Sequence, residues 1–233
     1  MGLGKFLHHI GTFFLFVAFV LLIVVTITSP VVNGISMMHV DLGSNAAAAQ
    51  EVTFGTFGYC VRGIGPRSRG DSDDCTRSKI GYDPAGLMST LDGTQFGSAS
   101  ASTAKGLTRV MILHPVALGL CFIAFLLCIS TGIVGSFLAS IVSFISFIVT
   151  LVVMITDFIA FGIIKKDVND FGVSRAKWGS GIWLVLVAAI FTLIGASVVF
   201  VTCCCARKKE DSERHKESWD EAAPATGRRR RFW

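Results

Sequence analysis

Charge is scarce in this chain of 233 residues, with Asp, Glu, Lys and Arg together making up only 16%. An average soluble domain carries roughly 25%, so the polar surface needed to face water on all sides is missing. The 7 cysteines are too few for a small disulfide-dense secreted scaffold. The 52% hydrophobic content excludes a disordered chain, and the 24 glycines follow no collagen repeat. No Gly-x-Ser-x-Gly, phosphate-binding or dinucleotide-binding signature occurs. The five histidines (His8, His9, His39, His114 and His215) are scattered without metal-ligand spacing. These absences point away from an enzyme and imply neither cofactor nor metal.

What is present is long uncharged apolar sequence. The first block runs from Gly11 to Pro30 without a charge and is long enough to cross a hydrocarbon core of ~30 Å. It is too long for a signal-peptide core and lacks a small-x-small cleavage site, so a retained helix is expected. The second block, Val110–Ile164, holds one charge, Asp157, and suits two crossings broken at Ser130–Ser136. Another block covers Gly181–Thr202. The expected order is an N-terminus over 1–10, spans over 11–32, 110–134, 135–164 and 180–202, connections over 33–109 and 165–179, and a basic tail over 203–233.

Four spans put both termini on one side. With the termini inside, ten basic residues lie inside and eleven outside, which decides nothing. Long loops escape the positive-inside rule, and discounting the first loop leaves ten against four. Cysteine placement agrees. Cys60 and Cys75 stand together in the long loop, as a disulfide on the oxidising side would. Cys203, Cys204 and Cys205 adjoin Arg207, Lys208 and Lys209, the pattern of cytosolic S-palmitoylation. A cytoplasmic location for both termini follows.

The long loop is neutral, with seven basic and seven acidic residues. Strand-like runs occur at Ile35–Val40 and Val52–Val61, separated by a flexible Gly43–Ala49. The Arg-, Gly- and Asp-rich sequence between the two cysteines reads as a loop, and Arg69-Gly70-Asp71 within it is a chance tripeptide. A disulfide closing those 15 residues would contribute about 3 kcal/mol. Asp83-Pro84 reads as an N-cap with Pro at N1, opening a short helix to about Leu91, and Gly97–Ala104 reads as flexible.

Phe54-Gly55-Thr56-Phe57-Gly58-Tyr59-Cys60, then Cys75 with Ile80-Gly81-Tyr82, then Leu113-His114-Pro115, resemble the fungal PalI family. These are four-span plasma-membrane proteins that include the ambient-pH response regulators and eisosome-associated relatives. The resemblance runs from the first span to about Cys205. It implies an all-α membrane protein: a four-helix transmembrane bundle carrying a small disulfide-linked, claudin-like extracellular β subdomain. It also implies partnership with a multi-span pH sensor or with eisosome components. Phe54 and Phe57 stand where claudins carry a Trp-rich signature.

Within the spans, Ser136, Ser140, Ser143, Phe147, Thr150, Met154, Asp157 and Phe161 share one helical stripe, read as the bundle-facing seam. Asp157 is the single intramembrane acid, costly in hydrocarbon, and is expected to bond a neighbouring helix within a few turns of Lys165 and Lys166. His114 is expected to cap the outer end of the second span. Ala188, Thr192, Gly195 and Ala196 suit close helix contact, within the bundle or in a homo-oligomer. The tail, closing on Arg228, Arg229, Arg230 and Arg231 before Phe232-Trp233, suits the anionic inner leaflet better than a nucleic acid. The expected function is a non-catalytic scaffold or regulator. An adhesion protein using residues 62–74 and a small transporter using Asp157 are the rivals.

Overall fold

A computed structural model describes residues 3–32, 34–43, 50–63, 74–129 and 133–222, with the side chains of 3–5, 133–134 and 205–222 left aside. Among the described residues, four helical stretches are long and apolar enough to cross a membrane: Phe6–Thr26, Ser98–Ile129, Gly135–Phe171 and Ser180–Cys204. They bundle with His8 and Thr202 at one pole and a small β-sheet at the other.

Helix α1 (Leu3–Thr26) starts earlier and stops sooner than the expected 11–32. Its apolar run ends in a turn over 27–31, where the Thr28 and Ser29 side chains engage the sheet. Strand β1 (Met38–Asp41) pairs antiparallel with β2 (Glu51–Phe54), and β2 with β3 (Tyr59–Arg62). The single run expected over Val52–Val61 is therefore a hairpin. Gly55 N–H donates to the Gly58 carbonyl at 2.8 Å, and this turn reverses the chain. Strand β4 (Asp74–Cys75) follows, placing Cys75 opposite Cys60 in the register, and the two are disulfide-bonded. The Arg69-Gly70-Asp71 tripeptide lies outside the described residues, as does most of the 62–74 loop.

Helix α2 (Pro84–Leu91) begins as its sequence requires: Asp83 accepts from Gly86 N–H at 2.9 Å, with Pro at N1. Residues 97–104, expected to be flexible, instead open helix α3 (Ser98–Val110). Ala loses least in a helix, Ala104 and Thr108 on one face are buried, and α3 packs along the third long helix. After a two-residue turn, α4 (Leu113–Ile129) completes the second crossing.

Helix α5 (Ile133–Phe171) has 39 residues, about 58 Å at 1.5 Å per residue, so it projects well beyond a ~30 Å core. The short connection expected over 165–179 is thus mostly the end of this helix and a strand, β5 (Arg175–Trp178). That strand pairs with β1, giving the order β4-β3-β2-β1-β5. Sequence reasoning missed it, although exposure alternates along Arg175, Ala176, Lys177 and Trp178 at the strand period. Asn169 supports its outer edge: Nδ2 donates to the Ala176 carbonyl at 3.1 Å and Oδ1 accepts from Ala176 N–H at 2.8 Å. Helix α6 (Ser180–Ala222) runs past the expected end at 202 into the charged tail.

Small and polar side chains contribute much of the bundle interior, beside large ones such as Leu15, Leu22 and Phe161, while many large apolar side chains face outward. Ala117, Cys121, Ala124 and Cys128 of α4 are buried, while Phe122, Ile123 and Leu126 face outward. On α5, Ser140, Ser143, Thr150, Asp157 and Phe161 of the expected seam are buried. Two of the hydroxyls bond within the helix: Ser143 donates to the Ser140 carbonyl at 3.0 Å and Thr150 to the Ser146 carbonyl at 2.8 Å. Small seams let helices approach closely where lipid offers no hydrophobic drive for association. Gly195 of α6 lies against Leu15 and the Gly11 carbonyl of α1, within the intramolecular bundle.

Candidate functional site at the junction of bundle and sheet

The residues with the most unusual surroundings gather where the sheet meets the helix ends. The inner face of the sheet presents Met38, Val40, Val52, Phe54 and Ala176, all buried. Phe54 stacks on Tyr82 with ring centroids 6.4 Å apart, and Tyr59 closes the aromatic cluster. Tyr82 ties three elements together: its hydroxyl donates to the Gly55 carbonyl at 2.8 Å, while its own carbonyl accepts from Thr108 Oγ1 of α3 at 2.7 Å. Burial, reinforced by the nearby Asp157 carboxylate, holds the Tyr82 phenol far above its ordinary range, so it stays a hydrogen-bond donor.

The two glycines of the aromatic-Gly motif are there for clearance. A Cβ on Gly55 would collide with the backbone of Ser29, and one on Gly58 would press on Thr76 Oγ1 at 2.7 Å and on Pro30. The turn they form docks on the end of α1. Thr56 N–H donates to Thr28 Oγ1 at 3.0 Å, and Thr56 Oγ1 donates to the Val25 carbonyl at 2.9 Å. The motif therefore works as a seat for the sheet. Phe57 is half-buried at the turn itself.

Beneath this cluster, Asp157 meets His114. Sequence reasoning placed His114 at a helix cap; the structure buries it completely. Its Nδ1 donates to the Met111 carbonyl at 3.1 Å, which aims Nε2 at Asp157 Oδ2, also 3.1 Å away. That is ion-pair distance, but the approach is off line, and neither Nε2 nor either carboxylate oxygen completes a hydrogen bond. Asp157, expected within a few turns of Lys165 and Lys166, thus faces a histidine of the neighbouring helix at ion-pair distance. Lys165 instead lies over the Trp178 ring, 5.3 Å from its centroid. Pro115 follows in the first turn of α4, where its missing N–H costs nothing.

The outer face of the sheet is polar. His39 Nε2 lies 3.0 Å from Asp41 Oδ1 and its Nδ1 lies 3.0 Å from Glu51 Oε1. Lys177 Nζ donates to Asp41 Oδ2 at 2.8 Å, and Arg62 stands 3.6 Å from Glu51. The hydrogen bond from Lys177 is the main reason the Asp41 carboxyl titrates below its usual range, with His39 adding to it. Asp41 and Glu51 are direct cross-strand partners, so these cations offset a like-charge pair.

At the opposite pole, Cys203 is half-buried and Cys204 exposed. The side chains of Cys205, Arg207, Lys208 and Lys209, and all of Arg228, Arg229, Arg230 and Arg231, lie outside the described residues. No cluster of metal-ligating side chains occurs among the described residues.

A four-helix membrane bundle capped by a disulfide-linked antiparallel sheet defines a claudin-like membrane protein. The SUR7/PalI family model matches residues 7–208, and the chain belongs to that family. Among curated proteins it is 28% identical, over 91% of its length, to the pH-response regulator protein palI/prr-5 of Neurospora crassa. It is 27% identical over 90% to the pH-response regulator protein palI/RIM9 of Pyricularia oryzae. A Saccharomyces cerevisiae membrane protein, TOS7, is 25% identical over 87%. The chain spans only 27% and 25% of the length of the first two relatives.

Proposed function

We propose that the protein is a non-catalytic plasma-membrane regulator of the PalI type, assisting a membrane sensor complex in the response to ambient pH. The observation that carries this reading is the continuous match across nine-tenths of the chain to two proteins named as pH-response regulators. In this reading both termini are cytoplasmic and the sheet is extracellular. The Cys60–Cys75 bond, which suits an oxidising compartment, supports that orientation. The work is done by contact, through the outward apolar faces of the helices toward a multi-span partner and through the polar outer face of the sheet. The basic residues Arg207–Lys209 and Arg228–Arg231 would hold the tail to anionic lipid at ~1 kcal/mol per charge. His114 facing Asp157 in the seam between α4 and α5 supports a packing role for the acid over a transport role.

The test is affinity purification of the tagged protein from gently solubilised native membranes, with co-purifying proteins identified by mass spectrometry. Recovery of a multi-span pH sensor with its adaptor supports the proposal. Recovery of membrane-domain scaffold components without that sensor would replace it with an organising role. Loss of cell–cell contact on deleting residues 62–74, with the protein still in place, would favour adhesion.

A further inference from the structure

The bundle brings residues from three helices to one level at the pole opposite the sheet. His8 of α1 donates from Nε2 to the Cys128 carbonyl in the last turn of α4 at 2.9 Å, and its Nδ1 lies 3.5 Å from Thr202 Oγ1 of α6. Residues 8, 128 and 202 therefore share a plane, next to the connection between α4 and α5. Cys203 and Cys204 occupy the turn of α6 that leaves this plane. The helix continues without a break, so Arg207, Lys208 and Lys209 follow about 4 to 8 Å further along the axis.

Helical phase separates the thiols. Cys204 is three residues beyond Val201 and four beyond Phe200, which are 56% and 58% exposed, so it continues the lipid-facing stripe. Cys203 is four residues beyond the fully buried Val199 and leans toward the bundle. Among the described side chains the other two free thiols are enclosed: Cys121 and Cys128 are buried, and Cys121 Sγ donates to the Leu15 carbonyl of α1 at 3.4 Å.

We propose that Cys204 is an S-acylation site, with Cys203 a secondary one, taking a long-chain acyl group from a cytosolic acyl-CoA. The Cys204 sulfur, as thiolate, attacks the thioester carbonyl. A new carbon–sulfur bond forms, the bond to coenzyme A breaks, and the proton given up by Cys204 ends on the released coenzyme A thiol. No oxidant or reductant is involved. The acyl chain then lies along the outward stripe of α6 beside Phe200 and Val201, where that face already meets lipid. This inference rests on the orientation proposed above, because acyl-CoA is found on the cytosolic side.

The experiment is acyl–PEG exchange on the full-length protein expressed in fungal cells. Free thiols are blocked, thioesters cleaved with hydroxylamine, and the released thiols tagged with PEG-maleimide. The expected result is a hydroxylamine-dependent upward step of at least one PEG mass. It should shrink in Cys204→Ser, vanish when residues 203, 204 and 205 are all Ser, and persist in a Cys121→Ser, Cys128→Ser variant. Absence of any step in the wild-type protein, or a step unchanged in the triple variant, would overturn the proposal. A Cys204→Ser variant with the full wild-type step would overturn the assignment to that residue. Tagging before and after permeabilisation reads orientation separately. Released thiols that react in intact cells would overturn both the cytoplasmic placement and the acyl-CoA route. No step, with blocked thiols reached only after permeabilisation, removes the acylation and leaves the orientation standing.

Discussion

His114 and Asp157 are both removed from water, and the contact between them is off line. Removing one member leaves the other without its counter-group. His114→Ala should destabilise the bundle by about 3 to 5 kcal/mol, the range for breaking a buried pair. Thermal unfolding in detergent, followed by tryptophan fluorescence, reads this. A His114→Leu, Asp157→Leu double variant should recover most of the loss, and failure to do so would mean the pair contributes more than mutual compensation. On the outer face, the sign of the pH effect follows from Asp41. Its pKa is lowered in the folded state by the Lys177 hydrogen bond, so its stabilising contribution is complete above the ordinary carboxylate range. The contribution is lost as pH falls through the lower folded-state value. Lys177→Gln should raise the midpoint of the Asp41 titration, observed by carboxyl carbon NMR, and weaken the sheet at neutral pH but not at strongly acid pH.

At the scale of elements, the sheet is held to the helices by backbone proximity at a few points, and Gly55 is the tightest of them. Gly55→Ala would drive a methyl group into the Ser29 backbone and should cost about 1 to 3 kcal/mol as the β2–β3 turn lifts from α1. Faster proteolysis within residues 34–63, with the helices intact, is the expected signature. Gly106 has open space around its Cβ position, so Gly106→Ala is the matched control and should leave the pattern unchanged. Helix α3 shows why a small-residue segment is hard to read locally. GSASASTA carries no apolar periodicity of its own, and it is helical where α3 packs along α5 with Ala104 and Thr108 buried. The same holds for β5, a four-residue strand that exists because β1 pairs with one edge and Asn169 bonds the other.

For the whole molecule, closure depends on the contact between the first and last crossings. Gly195 meets Leu15 at 2.9 Å from its would-be Cβ, and Gly11 is similarly close to Val198 and Val199. Gly195→Ile should hold α1 and α6 apart, giving a broadened, early-eluting peak in size-exclusion chromatography, while the second and third crossings still pair. A sharp peak at the wild-type position would show that the bundle closes without this approach.

The four crossings, their order and the inward stripe of α5 were legible in the sequence because lipid imposes one strong rule: long uncharged runs must be helices with their backbone bonds satisfied internally. Asp83-Pro84 was equally legible, since capping is local chemistry within three residues. The cysteine pair could be inferred from its isolation in one loop. The identity of Asp157's partner required the tertiary structure, because His114 and Asp157 belong to different helices, and local turn chemistry around His114-Pro115 pointed to a cap. The five-stranded sheet likewise depends on pairing between Met38–Asp41 and Arg175–Trp178, far apart in the chain. Composition and periodicity govern what a segment does with its solvent; which distant segment it meets is decided only by packing.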